Sequence, residues 1–141
     1  MVTLGKEARR EIVGAIRNAE KMTSGEIRVH VKSRCKQDVF EEAKKVFLRL
    51  GMHRTEERNG VLIFVALDSR QFAILGDRGV HERVGESFWN KMRDLMTAHF
   101  SKGQIQAGIV AGVAGAGTEL NKHFPKHADD RNELPDRVTG V

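Results

Sequence analysis

NGVLIFVALDSRQFAILGDRG, residues 59–79, is the stretch whose reading decides the fold of this chain. An unbroken apolar run, Val61 to Leu67, stops abruptly at Asp68-Ser69-Arg70. A second run, Phe72 to Leu75, ends at Gly76-Asp77-Arg78-Gly79. The first run is too short for a buried helix and too uniformly apolar for a half-exposed strand. It predicts a strand covered by helices on both faces of a sheet. The Asp68-Ser69-Arg70 link is too short for a parallel crossover, so Gln71 to Gly76 is expected to return antiparallel as a hairpin. Asp68 and Arg70 lie where the buried strand surfaces, a place where α/β sheets often hold polar chemistry.

Upstream, Glu26-Ile27-Arg28-Val29-His30-Val31-Lys32 alternates strictly, which predicts a strand with a polar face or a sheet edge. Asp38 is placed to cap a helix, with Glu41 at the capping-box position, and Val39, Ala43, Val46, Phe47 and Leu50 form its core face. Gly51 ends it. Strand, helix and buried strand make a βαβ unit with parallel strands and a right-handed crossover. Before this unit, Leu4 to Met22 carries Leu4, Ala8, Ile12, Ala15, Ile16 and Ala19 at helical spacing. Gly25 follows, suited to a left-handed C-terminal position. After the hairpin, one helix is expected from about His81 to Phe100, with Val84, Phe88, Met92, Leu95 and Met96 inward. Another is expected from about Gln104 to Phe124, stopped by Pro125. The expected fold class is therefore α/β: a three-layer α/β/α sandwich around a small mixed sheet with about four helices. Residues 1–124 form its single domain, and residues 125–141 read as a polar, mobile C-terminal tail.

A chain of 141 residues is long enough to bury roughly two-thirds of its unfolded surface. The net charge of +5 raises nucleic acid or an acidic protein as partner. Basic residues, however, are interleaved with Glu along the helices, the chain has no Tyr, and its Phe residues mostly fall on apolar faces. A base-stacking platform is therefore unsupported, and a protein is the expected partner rather than nucleic acid. The sequence sets no oligomeric state. The single cysteine, Cys35, rules out an internal disulfide and fits a reducing compartment. The N-terminus lacks a signal-peptide apolar core, and no stretch approaches the ~20 apolar residues of a membrane span. The expectation is a soluble, cytoplasmic protein.

Three motifs invite chemistry and read as structure. The run Gly108 to Gly117 does not follow a strand and lacks GxGxxG spacing, so its small residues read as close helix packing. His123 and His127 have the spacing of helical metal ligands, but Pro125 lies between them. Cys35 has no CxxC partner. The remaining constellation is carboxylate-centred. Asp38, Asp68 and Arg70 gather at the rim where both parallel strands end, with carbonyls from two loops; such hard oxygen ligands suit Ca²⁺ or Mg²⁺. At the opposite rim Glu26, Asn59, Asp77 and Glu82 form a second candidate site.

TSGEIRVHV, RNGVLIFVALDSRQFAILGDRGV and AHFSKGQIQAGIVAGV resemble, in order and spacing, the TPM domain family, over about Glu7 to Phe124. The most specific features are Asn59-Gly60, Asp68-x-Arg70, Gly76-x-x-Gly79 and Phe100-x-x-Gly103. The resemblance implies an α/β/α sandwich. It also implies one of two activities: a cation-binding accessory role in membrane-protein assembly or repair, or a metal-assisted phosphatase. Asp68 and Asp77 would be its acidic positions, with Arg70 the phosphate or anion partner. Many members carry a signal peptide, a membrane anchor and a glycine-rich tail, from which this sequence departs. No catalytic motif stands behind the phosphatase alternative.

Overall fold

A computed structural model describes residues 3–126 and 138–140. Four strands, β1 (Glu26–Lys32), β2 (Gly60–Ala66), β3 (Gln71–Gly76) and β4 (Val138–Gly140), form one mixed sheet in the order β3-β2-β1-β4. β1 and β2 are parallel, with Ile27 beside Val61 and Val31 beside Val65. β3 returns antiparallel, pairing Ala66 with Gln71 and Val61 with Gly76. The α/β class and the mixed three-strand core agree with the sequence reading.

The layers follow from side-chain alternation. Ile27, Val29 and Val31 of β1 and Val61, Ile63 and Val65 of β2 join one core with Ile12, Ile16 and Ala19 of α1 (Lys6–Glu20). α5 (Ile105–His123) completes this core through Ile109, Val113, Ala116 and Leu120. The opposite β2 side chains, Leu62, Phe64 and Ala66, meet Ala43, Val46 and Phe47 of α2 (Val39–Arg49) and Met52 of a short 3-10 turn. A fully buried Val, Leu, Ile or Phe side chain contributes about 1.5–3 kcal/mol. β2, buried on both faces, is therefore the structural axis of the domain.

α4 (Glu86–Phe100) packs mainly on α5 and touches the sheet at β3, through Trp89 and Phe100. A Cβ at Gly108 would meet the Phe100 ring at 2.4 Å, and one at Gly115 the Met92 sulfur at 2.4 Å. At Gly117 it would lie 2.6 Å from the Ala19 Cβ of α1. The small residues of α5 thus let two helices approach it from different sides, the packing role expected of them.

Four expectations change. The helix expected from His81 to Phe100 is two, α3 (Arg78–Arg83) and α4, so there are five α-helices among the described residues. Val84 is extended (φ −107°, ψ 129°), which buries its side chain and turns the chain at Gly85, a poor helix former. Leu95, expected inward, is 41 % exposed because Met92 and Met96 are the α4 residues turned into the core. Gly25 is not among the residues with positive φ. It is small because a Cβ there would reach Leu120 at 2.9 Å and the Asn59 carbonyl at 3.2 Å.

The fourth change concerns the tail. Residues 138–140, assigned to a mobile tail, form β4, parallel to β1 with Val29 beside Val138 and Val31 beside Gly140. Pro125 and Lys126 also run against the loop after α1: Ser24 N–H donates to the Phe124 carbonyl (2.9 Å) and Lys126 N–H to that of Met22 (3.3 Å). The rest of the predicted tail, residues 127–137 and 141, lies outside the described residues. β4 makes β1 an interior strand rather than an edge. Its polar residues are buried as well, with Glu26 and Arg28 each only 1 % exposed. Among the described residues no helix is long and apolar enough to cross a membrane.

Candidate functional site

Residues 33–38 follow β1 and residues 67–70 follow β2, so parallel pairing delivers both loops to one rim. Backbone bonds then lace them together. Leu67 N–H donates to the Lys32 carbonyl (2.8 Å) and Asp68 N–H to that of Ser33 (2.7 Å). The Cys35 N–H donates to Ser69 Oγ at 3.0 Å. Arg70 closes the hairpin at φ +53°, with its N–H directed to the Leu67 carbonyl (3.3 Å), and its side chain is exposed. Asp38 caps α2 as expected: its Oδ2 accepts from Phe40 N–H (3.1 Å) and Glu41 N–H (3.2 Å). The negative cap also complements the positive end of the helix.

Sequence reasoning missed a third carboxylate here. Glu42 Oε2 meets Lys32 Nζ at 3.2 Å, and its Oε1 accepts from Lys36 N–H at 3.3 Å. Burial alone would raise its pKa, but the Lys32 and Cys35 bonds, the Lys32 charge and the Lys36 amide outweigh it and hold the carboxyl below the usual range. Glu42 lies one helical turn beyond Asp38, the only sequence signal that it shares this rim. Burial, then Glu42, pushes the Cys35 thiol up, and its S–H donates to the Gln37 carbonyl (3.0 Å). A thiol held protonated is a poor soft-metal ligand, because the thiolate is the binding form. The rim therefore offers oxygen donors. No group of three or more His, Cys, Asp or Glu side chains among the described residues is positioned to hold a metal ion.

The opposite rim is built differently. Arg58 Nε and Nη2 reach Asp77 Oδ2 and Oδ1 at 2.7 and 2.9 Å, a bidentate fork. Asp77 Oδ1 also accepts from Arg78 N–H at 2.8 Å and so caps α3. Arg58 sits at φ +51°, and its carbonyl accepts from Gly79 N–H at 2.9 Å. A Cβ at Gly79 would lie 2.2 Å from the Glu57 carbonyl oxygen. Asn59 donates its side-chain N–H groups to Ser24 Oγ (3.3 Å) and Glu57 Oε2 (3.1 Å). Asn59, Asp77 and Gly79 thus lock three loops. Asp77 is neutralised by Arg58, and Glu82 is exposed on α3. This rim reads as a structural clasp. Arg58 was missed because the partner of Asp77 is set by hairpin register: continuing the ladder past Val61–Gly76 brings Arg58 opposite Gly79.

A third polar feature lies between β1 and α2. His30 stacks on Phe64 (5.7 Å, 11° between rings), and its Nδ1 lies 2.7 Å from Thr139 Oγ1 of β4. Burial, then the charges of Arg49, Lys32 and Arg28, lowers its pKa from 6.5 to about 4. The imidazole is therefore neutral at physiological pH.

Comparison with known families gives one match, and comparison with solved structures gives several similar folds. The family model described as the TPM domain matches residues 2–119. The NMR structure of BA42 protein from the psychrophilic bacterium Bizionia argentinensis superposes with a TM-score of 0.93 at 42 % identity, covering 99 % of this chain and 97 % of that one. The N-terminal domain of a P. gingivalis protein superposes with a TM-score of 0.69 at 21 % identity (88 % of this chain, 82 % of that one). The N-terminal domain of cg2496 from Corynebacterium glutamicum gives 0.66 at 12 % identity (96 % and 80 %), and these last two likenesses concern the fold alone. No curated protein matches the chain.

Proposed function

This chain belongs to the TPM domain family, and from that premise we propose that it is a non-catalytic accessory module that binds one divalent cation, Ca²⁺ or Mg²⁺. The observation that carries the reading is the lacing of the 33–38 and 67–70 loops. It holds the loop that bears Asp68 beside the loop that leads into Asp38. Asp68 would supply the main carboxylate. Asp38, whose two capping bonds both go to Oδ2, and loop carbonyls would supply the rest, with waters completing the shell. The donor set is hard oxygen, which suits these ions, and Cys35 held as a thiol does not divert the site toward softer metals. The Arg58 fork on Asp77 argues against the opposite rim, where a cation would compete with a guanidinium already in place. A bound cation would tie the two loops together, stiffening a rim that a protein partner could read. A role in membrane-protein assembly or repair is what the family suggests for such a module.

So few charged ligands give weak binding, with Kd of about 10⁻⁴–10⁻³ M. Titration with CaCl₂ and with MgCl₂, followed by backbone amide shifts, is expected to move residues 33–38 and 68–70, and Asp68→Asn is expected to abolish the response. Shifts centred on residues 77–82, or an undiminished response in Asp68→Asn, would overturn the site.

A further inference from the structure

β3 is an outer strand. Among the described residues it pairs with β2 on one side only, leaving a row of backbone N–H and C=O groups on the other. A cleft of about 520 Å³ runs along it. Its walls come from both helical layers: Phe40 from α2, and Trp89 and Arg93 from α4. A space lined by both layers and by β3 itself must lie beyond the sheet edge, in the plane where another strand would sit. Phe40 is 46 % exposed, an unusual position for a phenyl ring at the first turn of a helix, while Ala73 at the cleft floor is 2 % exposed. Phe72 and Ile74 present half-buried apolar faces at alternate positions.

The charges give the cleft a direction. The Trp89 ring lies against Gly76 at the end of β3, since a Cβ there would meet Trp89 Cη2 at 2.7 Å. Phe100 meets Phe72 near the start of β3, with rings 5.1 Å apart. α4 therefore runs opposite to β3. Glu86 lies toward the Gly76 end, and Arg93 lies farther toward Phe72. Both are exposed, and neither has an ion pair among the described residues.

We propose that this cleft is a strand-accepting site for an extended segment of a partner protein, which adds to β3 through main-chain hydrogen bonds. Alternate apolar side chains of the segment would pack on Phe40 and on the Phe72–Trp89 wall, with a basic residue near Glu86 and an acidic residue near Arg93. Only another extended backbone satisfies a row of alternating donors and acceptors, which excludes a compact small molecule. A second folded copy is excluded by shape: its own β3 lies in the same recess between aromatic walls, so two such edges would meet wall to wall before their backbones came into register. The chain's own residues 138–140 are already paired on the opposite edge of the sheet.

The test selects displayed random dodecapeptides against the full chain. Enriched sequences are expected to alternate apolar and polar residues and to carry an acidic residue toward one end. A synthetic peptide of the leading sequence is expected to shift the amides of residues 71–76. Phe40→Ala, at an exposed position that leaves the core intact, is expected to weaken that peptide about tenfold. Arg93→Glu is expected to turn the selected preference from acidic to basic. The proposal is overturned if nothing enriches, if the shifts lie away from β3, if both variants bind as the parent does, or if sedimentation shows a dimer that protects β3.

Discussion

His30 makes the stability of this domain depend on pH in a definite direction. The ring is stacked on Phe64, bonded to Thr139 and faced by Arg49 from α2 and by Arg28 and Lys32 from its own strand. Its pKa falls from 6.5 to about 4, burial being the main cause. As pH drops below 6.5 the unfolded chain takes up a proton at this position and the folded chain does not. Stability is therefore complete above 6.5, declines as pH falls toward 4, and loses nothing more from this group below that. At about 1.36 kcal/mol per pKa unit the ceiling is roughly 3 kcal/mol. Arg49 is exposed and its field is screened by solvent, which reduces the expected loss to about 1–2 kcal/mol. Urea unfolding of the parent and of His30→Gln at a series of pH values from 7 to 4 isolates the effect, because all other titrating groups cancel in the difference. The parent is expected to lose about 1–2 kcal/mol more than the variant over this range. A difference that stays flat with pH, or a His30 ring that titrates near 6.5 by NMR, would refute the reasoning.

Two glycines in helices should respond oppositely to alanine. Gly14 has open space around its Cβ position, so Gly14→Ala is expected to stabilise by about 0.5–1 kcal/mol, whereas Gly117→Ala forces a methyl onto Ala19 and is expected to cost about 1–3 kcal/mol; paired thermal melts would show both signs. Ending the chain at Lys126 removes β4, with the half-buried Val138 and the His30–Thr139 bond. The expected cost is roughly 2 kcal/mol by denaturant unfolding, and a loss below about 0.5 kcal/mol, the range of ordinary surface changes, would mean that β4 contributes little. Ending it at Thr118 also removes Leu120 and Phe124, each worth about 1.5–3 kcal/mol, and is expected to unfold the domain.

Much of the architecture was legible because it is written in local periodicity. Val61 to Leu67 needs no partner information to read as a doubly covered strand, and the shortness of the Asp68–Arg70 link forces β3 to return antiparallel. The α5 glycines and the Asp38 cap likewise act within one element or against its immediate neighbour. The meeting of the 33–38 and 67–70 loops was legible for the same reason: parallel pairing of β1 and β2 is enough to bring their following loops together. What the sequence could not decide depends on pairings distant along the chain. β1 reads as an edge strand by its alternation, and it is interior only because Val138–Gly140 pairs beside it. The same contact sets Thr139 against the His30 ring, while Glu26 and Arg28 are buried on a face that the alternation alone reads as polar. The Asp77 carboxylate looks free in sequence and is bound only because hairpin register brings Arg58 across from Gly79. Local propensity and hydrophobic period determine the elements and their order. Burial, and with it the charge state and partners of each polar group, is a property of the assembled tertiary structure, because it depends on which chain segments exclude water from a given side chain.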